Sequence, residues 1–211
     1  MGIFYKENRV IHFVHIPKTG GESVNLILKQ NGWKIHPKSY HVSGAAGCHQ
    51  VFEQYSKINL TFEHEFTLVR NPVERCVSSI YYLYRKHPEQ PMHPNEITPY
   101  HMIKYLHNIY TKAIPNLGNN FDGNFWAPQT EFIGNNTKVF KLEDLNIFLQ
   151  YLKKNRIVSE RSFFPHENKS IETNVGYPDW SASEDTTKYF FEFYRRDFEN
   201  LNYPVPKWFR N

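Results

Sequence analysis

Apolar positions alternate with polar ones through Val10, Ile11, Phe13, Val14 and Ile16, the period of a buried strand. After a short glycine-bearing turn the period changes, and Val24, Leu26, Ile27 and Leu28 fall at helical spacing. Residues 9–31 therefore predict strand, tight loop and helix. Residues 32–45 read as a short strand and a loop rich in His, Lys and Ser. Cys48 to Lys57 predicts a short helix, with Val51, Phe52 and Tyr55 on one side. Phe66-Thr67-Leu68-Val69 is a compact buried strand ended by Arg70-Asn71-Pro72. Pro72 sits where a helix can start, because its missing N–H belongs to a position without a helical partner. Val73, Val77, Ile80, Tyr81 and Tyr84 supply the apolar stripe that follows.

Proline density from His87 to Pro99 rules out a regular element there. Tyr100 to Lys112 predicts a helix, Asn116 to Pro128 a second irregular stretch, and Lys138-Val139-Phe140-Lys141 a strand. A helix over Glu143 to Lys154 follows, with Glu143-Asp144 as its cap. Residues 159–183 read as loop, and Glu184 to Leu201 as the last helix, with Ser183 as N-cap. Two successive strand–turn–helix units predict neighbouring parallel strands. The expected fold is α/β: a single domain over residues 1–211, with a central parallel sheet flanked by helices and a P-loop-like strand–loop–helix at its N-terminus.

Composition narrows the class. The 211 residues are 17% aromatic and 22% charged, a globular balance and not a disordered one. A net charge of +4 suits an anionic ligand, but no dense basic stripe or motif points to nucleic acid. No apolar run reaches the roughly 20 residues that span a bilayer. The polar start Met1-Gly2-Ile3-Phe4-Tyr5-Lys6-Glu7 is unlike a signal peptide, so a cytoplasmic location is expected. The two cysteines, Cys48 and Cys76, lack metal-ligand spacing; buried thiols are the default and a disulfide stays open. Nothing in the pattern sets an oligomeric state.

Chemistry concentrates in His15-Ile16-Pro17-Lys18-Thr19-Gly20-Gly21-Glu22-Ser23. A strand, a glycine turn and a helix start aim backbone N–H groups at one spot, which attracts a phosphate or sulfate group. Glycine lets the backbone approach the anion, and Lys18 adds a mobile positive charge. Arg70-Asn71-Pro72-Val73-Glu74-Arg75-Cys76-Val77-Ser78 forms a second such junction. Arg70 leaves the end of a strand, where α/β sheets bind ligands, and Ser78 lies further along the helix. A guanidinium and a hydroxyl so placed can share one phosphate. Two anion sites point to a ligand with two separated phosphate-type groups.

With both motifs in this order, the chain resembles the sulfotransferases that use 3′-phosphoadenosine-5′-phosphosulfate (PAPS). It is most similar to the branch holding heparan sulfate 2-O-sulfotransferase-like and bacterial carbohydrate enzymes. The resemblance runs over nearly the whole chain, and the run from Tyr189 to Tyr194, with Asp197-Phe198 and Tyr203, is similar to the family's closing helix. It implies that Lys18, Thr19, Gly20, Gly21, Glu22 and Ser23 hold the 5′-phosphosulfate, and that Arg70 and Ser78 hold the 3′-phosphate. It also places Lys169 and Ser170 in a late basic loop that closes over the 3′-phosphate or adenine, where a solvated loop is the alternative reading, and gives Arg75 a family position that an internal contact would equally explain. Glu22 departs from the pattern, which has a small hydroxyl residue there. An acid beside a phosphosulfate is unfavourable unless it points away or meets Lys18.

The resemblance further implies a PAPS-dependent O-sulfotransferase that moves a sulfuryl group to a hydroxyl acceptor, best read as a carbohydrate. No metal is expected, because no acidic cluster is set to hold magnesium. The family's catalytic histidine lies on a short helix before the arginine, which makes His49 the candidate base and His41 the reserve; His36, His64 and His15 rank lower, with His15 packing beneath the loop. Imidazole titrates near neutral pH, as a general base must. Lys18 would stabilise charge on the leaving nucleotide. Phe121, Phe125, Trp126 and Tyr100 are read as a sugar-stacking wall or as core. Two rival readings are a P-loop kinase or NTPase and a non-catalytic nucleotide- or sulfated-glycan-binding module. In the first, glycines should precede the lysine, and here they follow it.

Overall fold

The computed structural model describes residues 2–37, 51–86, 126–164 and 184–205. Among them one sheet holds β1 (Gly2–Lys6), β2 (Arg9–Val14), β3 (Lys34–Ile35), β4 (His64–Val69) and β5 (Lys138–Lys141). Its order is β3-β1-β2-β4-β5. The strands β2, β4 and β5 run parallel, as the repeated strand–helix pattern predicts. The sheet as a whole is mixed, which corrects the expectation of a parallel one: β1 pairs antiparallel with both β2 and β3.

Strand β1 is the element the pattern hides. Only Ile3, Phe4 and Tyr5 carry its apolar signal, and it turns into β2 through Glu7 and Asn8, with Lys6 opposite Arg9. Glu7 takes φ 54°, a left-handed conformation that such hairpin turns usually give to glycine or asparagine. The punctuation that marks a hairpin is therefore missing from the sequence.

Side chains of a strand point alternately to the two faces, and here both faces are buried. Phe4, Ile11, Phe13, Phe66 and Leu68 face one core, covered by α1 (Gly21–Gln30) and α4 (Leu145–Lys154) through Val24, Ile27, Leu28, Phe148 and Leu152. Ile3, Val14 and Val69 face the other. That core is completed by Tyr55 of α2 (Phe52–Tyr55), Val73 and Cys76 of α3 (Pro72–Lys86), and Phe190, Tyr194 and Phe198 of α5 (Glu184–Asn200). Each such buried side chain contributes about 1.5–3 kcal/mol over an exposed one. The layering puts the carboxyl ends of β2 and β4 side by side.

Pro72 is the first residue of α3, and the Asn71 side chain caps it, accepting from Val73 N at 3.0 Å and Glu74 N at 3.4 Å. Asp144 occupies the N-cap position of α4, but without a side-chain cap. Glu143 and Asp144 both lie in a 3₁₀ turn, Leu142–Asp144, and neither makes a side-chain capping bond to the helix that begins at Leu145. Trp126 is buried in the core, not in a sugar-facing wall. Cys76 is a buried free thiol, and burial pushes its pKa up to about 12. Cys48, the predicted helix Tyr100–Lys112, the 87–99 loop, Phe121, Phe125 and Ser183 lie outside the described residues. Among the described residues no helix is long and apolar enough to cross a membrane.

Candidate active site

The loop after β2 is held in shape from below. His15 is buried and stacks on Phe13 with ring centroids 5.5 Å apart. Its ring lies directly under Gly21, where a Cβ would fall 1.8 Å from Nε2. Only glycine fits there, and His15 has the packing role the sequence assigns it. Thr19 is fully buried and its hydroxyl donates to Ile16 O at 2.9 Å, so the loop itself uses the side chain. Lys18 takes φ 66° and Gly20 φ 85°, two left-handed residues that fold the chain back on itself. For a non-glycine residue that conformation costs on the order of 1–2 kcal/mol, the kind of strain that gathers at functional sites.

Gly20 occupies the N-cap position of α1 and offers no side chain to the first helical turn. The N–H groups of that turn have no intrahelical acceptor, and with the helix dipole they favour an anion. Ser23 is buried in that turn, and Glu22 is exposed. Exposure answers the conflict posed by an acid in the loop, because a first-turn carboxylate in solvent is favourable toward the dipole. Lys18 is half-buried, and its Nζ lies 4.3 Å from the centroid of the Tyr82 ring on α3. This cation–π contact turns the lysine toward the second motif.

The second motif is gripped from three sides. Arg75 is buried, and its Nε donates to Pro17 O at 3.1 Å, tying α3 to the first loop. Arg70 leaves β4 half-buried, with its Nε donating to Glu74 at 3.3 Å. The buried Gln129 clasps the Arg70 backbone: its Oε1 accepts from Arg70 N at 2.9 Å and its Nε2 donates to Arg70 O at 2.8 Å. Glu143 accepts from Asn71 N at 2.7 Å and from the Tyr203 hydroxyl at 2.9 Å. Burial, and then the charge of Glu143, push the Tyr203 hydroxyl pKa upward, so Tyr203 stays a donor. Ser78 is half-buried two turns into α3.

Gln129, Glu143 as a tether, and Tyr82 have no assigned role in the sequence reading, and Asp197 enters there only as part of the closing-helix pattern. Asp197 left one signal: with Phe190, Tyr194, Phe198 and Leu201 it falls on the apolar stripe of α5, where a carboxylate is out of place. His36 is described beside β3, its ring 5.9 Å from that of Tyr5, and His64 lies in β4 with Nδ1 3.2 Å from the Tyr151 hydroxyl. His41, His49, Lys169 and Ser170 lie outside the described residues. Among the described residues no group of three or more His, Cys, Asp or Glu side chains gathers as a metal site would.

The arrangement offers two cationic strand–helix junctions locked to each other, each able to take an anionic group. Searches of curated proteins and of solved structures each returned no match. The family model described as the sulfotransferase family matches residues 1–204, and on that match, covering nearly all of its length, the chain belongs to the sulfotransferase family.

Proposed function

We propose that the protein is a single-domain PAPS-dependent O-sulfotransferase whose acceptor is a carbohydrate hydroxyl. Family membership supports sulfuryl transfer over the phosphoryl transfer of a P-loop kinase. The observation that carries the site assignment is the Arg75–Pro17 bond, because it fixes the Lys18 loop and the start of α3 as one unit. A nucleotide with phosphates at both its 5′ and 3′ ends matches a unit with two cationic junctions.

The donor supplies the sulfuryl group; the chain binds, orients and neutralises. In this reading the backbone N–H groups of residues 19–23, with Lys18, take the 5′ end, and the P-loop-like character of the segment lies in this use. Thr19 contributes through its backbone, since its hydroxyl is engaged with Ile16 O. Arg70 and Ser78 take the 3′-phosphate, with the guanidinium exchanging Glu74 for a phosphate oxygen. Lys169 and Ser170 close over the nucleotide. Lys18 neutralises charge on the departing phosphate oxygen, and His49, with His41 in reserve, removes the proton of the acceptor hydroxyl. Positioning and charge stabilisation then account for most of the rate, as in phosphoryl transfer.

The test is transfer of labelled sulfate from PAPS to a panel of oligosaccharides, with Lys18→Met and His49→Ala beside the unaltered protein. Label should reach an acceptor with the unaltered protein, and each variant should lose at least about a hundredfold in rate. Nucleotide binding with no transfer across the panel would favour the non-catalytic module. Undiminished transfer by His49→Ala would move the base to His41.

A further inference from the structure

Asp197 is a carboxylate buried at the centre of a helix–turn contact. Its Oδ2 accepts from Gln129 N at 2.8 Å and from Gln129 Nε2 at 3.4 Å. Its Oδ1 accepts from Thr130 N at 2.9 Å and from the Thr130 hydroxyl at 3.0 Å. One carboxylate thus ties down the start of the 3₁₀ turn Gln129–Phe132 and orients the Gln129 amide. That amide has no rotational choice left. With Nε2 facing Asp197 and Arg70 O, its Oε1 must face Arg70 N.

We propose that Asp197 and Gln129 are positioning residues for the 3′-phosphate arm, setting the backbone of Arg70 from the closing helix α5. The inference rests on the reading of Arg70 as the 3′-phosphate residue. Arg70 is the first residue beyond β4, with no further ladder bond to fix it. Among the described residues its side chain is held by an i,i+4 ion pair of the weak, half-exposed kind. Direction must therefore come from the backbone, and both of its polar groups at Arg70 are bonded to Gln129. The nearby Glu131 carboxyl has its pKa raised by burial and then by the charge of Asp197. The grip acts on Arg70 itself, whereas the 5′ end is built on β2 and α1.

The experiment compares the affinity of the full-length protein for adenosine 3′,5′-bisphosphate and for adenosine 5′-monophosphate. The unaltered protein should prefer the bisphosphate. Gln129→Met and Asp197→Asn should each cut that preference by about tenfold, with monophosphate affinity kept, because a displaced arm misaligns only the 3′ contact. A purely structural role would weaken both ligands together. Either variant, folded by circular dichroism, keeping the full preference would overturn the inference. Should both variants fail to fold, hydrogen exchange of the unaltered protein decides: the Arg70 amide should be protected, and a freely exchanging amide overturns the proposal. No preference for the bisphosphate in the unaltered protein would instead remove the assignment of Arg70, and this inference with it.

Discussion

Arg75 Nε donates to the carbonyl oxygen of Pro17 at 3.1 Å, across the gap between two strand–helix junctions. The side chain is buried, so the bond is shielded from water and from salt. Arg75 therefore acts as a brace for the site. Arg75→Ala should lower the unfolding free energy by about 2–4 kcal/mol, from the cavity and the stranded carbonyl together. Urea denaturation measures it. A loss within about 0.5 kcal/mol, the size of an ordinary surface change, would contradict the brace.

Gly21 faces the His15 ring with no room for a methyl group. Gly21→Ala should destabilise by about 1–3 kcal/mol, as overpacking does, and should weaken nucleotide binding because the displaced loop carries the N–H groups. Adding His15→Ala should recover much of that loss, a coupling that a double-mutant cycle reads directly. Additive losses would mean that the ring and the glycine do not share the space.

The two motifs were legible in the sequence because both are local: each is a change of hydrophobic period with the chemistry at the switch. The parallel pairing of β2 with β4 followed from that repetition. What joins the motifs was not legible. Arg75 reaches Pro17, Gln129 reaches Arg70, and Asp197 reaches Gln129 across separations that no periodicity records. Strand β1 escaped for a local reason, since Glu7 holds the left-handed turn position without the residue type that signals it. Acids favour helix starts, so Glu143 has the look of a cap, yet its carboxylate bonds Asn71 N and the Tyr203 hydroxyl instead.

Glu74 neutralises Arg70 through an ion pair between partly exposed groups. Exposed pairs are worth about 0–1 kcal/mol, so Glu74→Gln should leave stability nearly unchanged. Binding of adenosine 3′,5′-bisphosphate should tighten by up to about fivefold, because a negative charge leaves the neighbourhood of the 3′-phosphate. Weaker binding on titration would mean that Glu74 orients the arginine.

His12 is fully buried, with Nδ1 2.9 Å from Glu65, and Nε2 has no hydrogen-bond partner among the described residues. Burial lowers its pKa, with the Glu65 contact partly opposing, and among the described residues a second ring proton would have no acceptor. Burial alone would raise the Glu65 pKa, but hydrogen bonds from His12 and Thr137 bring it below the usual range. In both cases the unfolded chain takes up protons first on acidification. The stability these two groups contribute is thus full above about pH 6.5 and is lost as pH drops, first through His12 and then, below about pH 4.5, through Glu65. His12→Asn keeps a donor and cannot titrate, so its melting temperature should vary less between about pH 7 and 5 than that of the unaltered protein. Equal slopes would dismiss the His12 contribution.

The central claim is that one nucleotide joins the two braced junctions. A crystal structure with adenosine 3′,5′-bisphosphate tests it most directly. The 5′-phosphate should lie on the backbone N–H groups of residues 19–23 beside Lys18, and the 3′-phosphate on Arg70 and Ser78, with Glu74 displaced from the guanidinium. A 3′-phosphate bound away from both Arg70 and Ser78 would contradict the account.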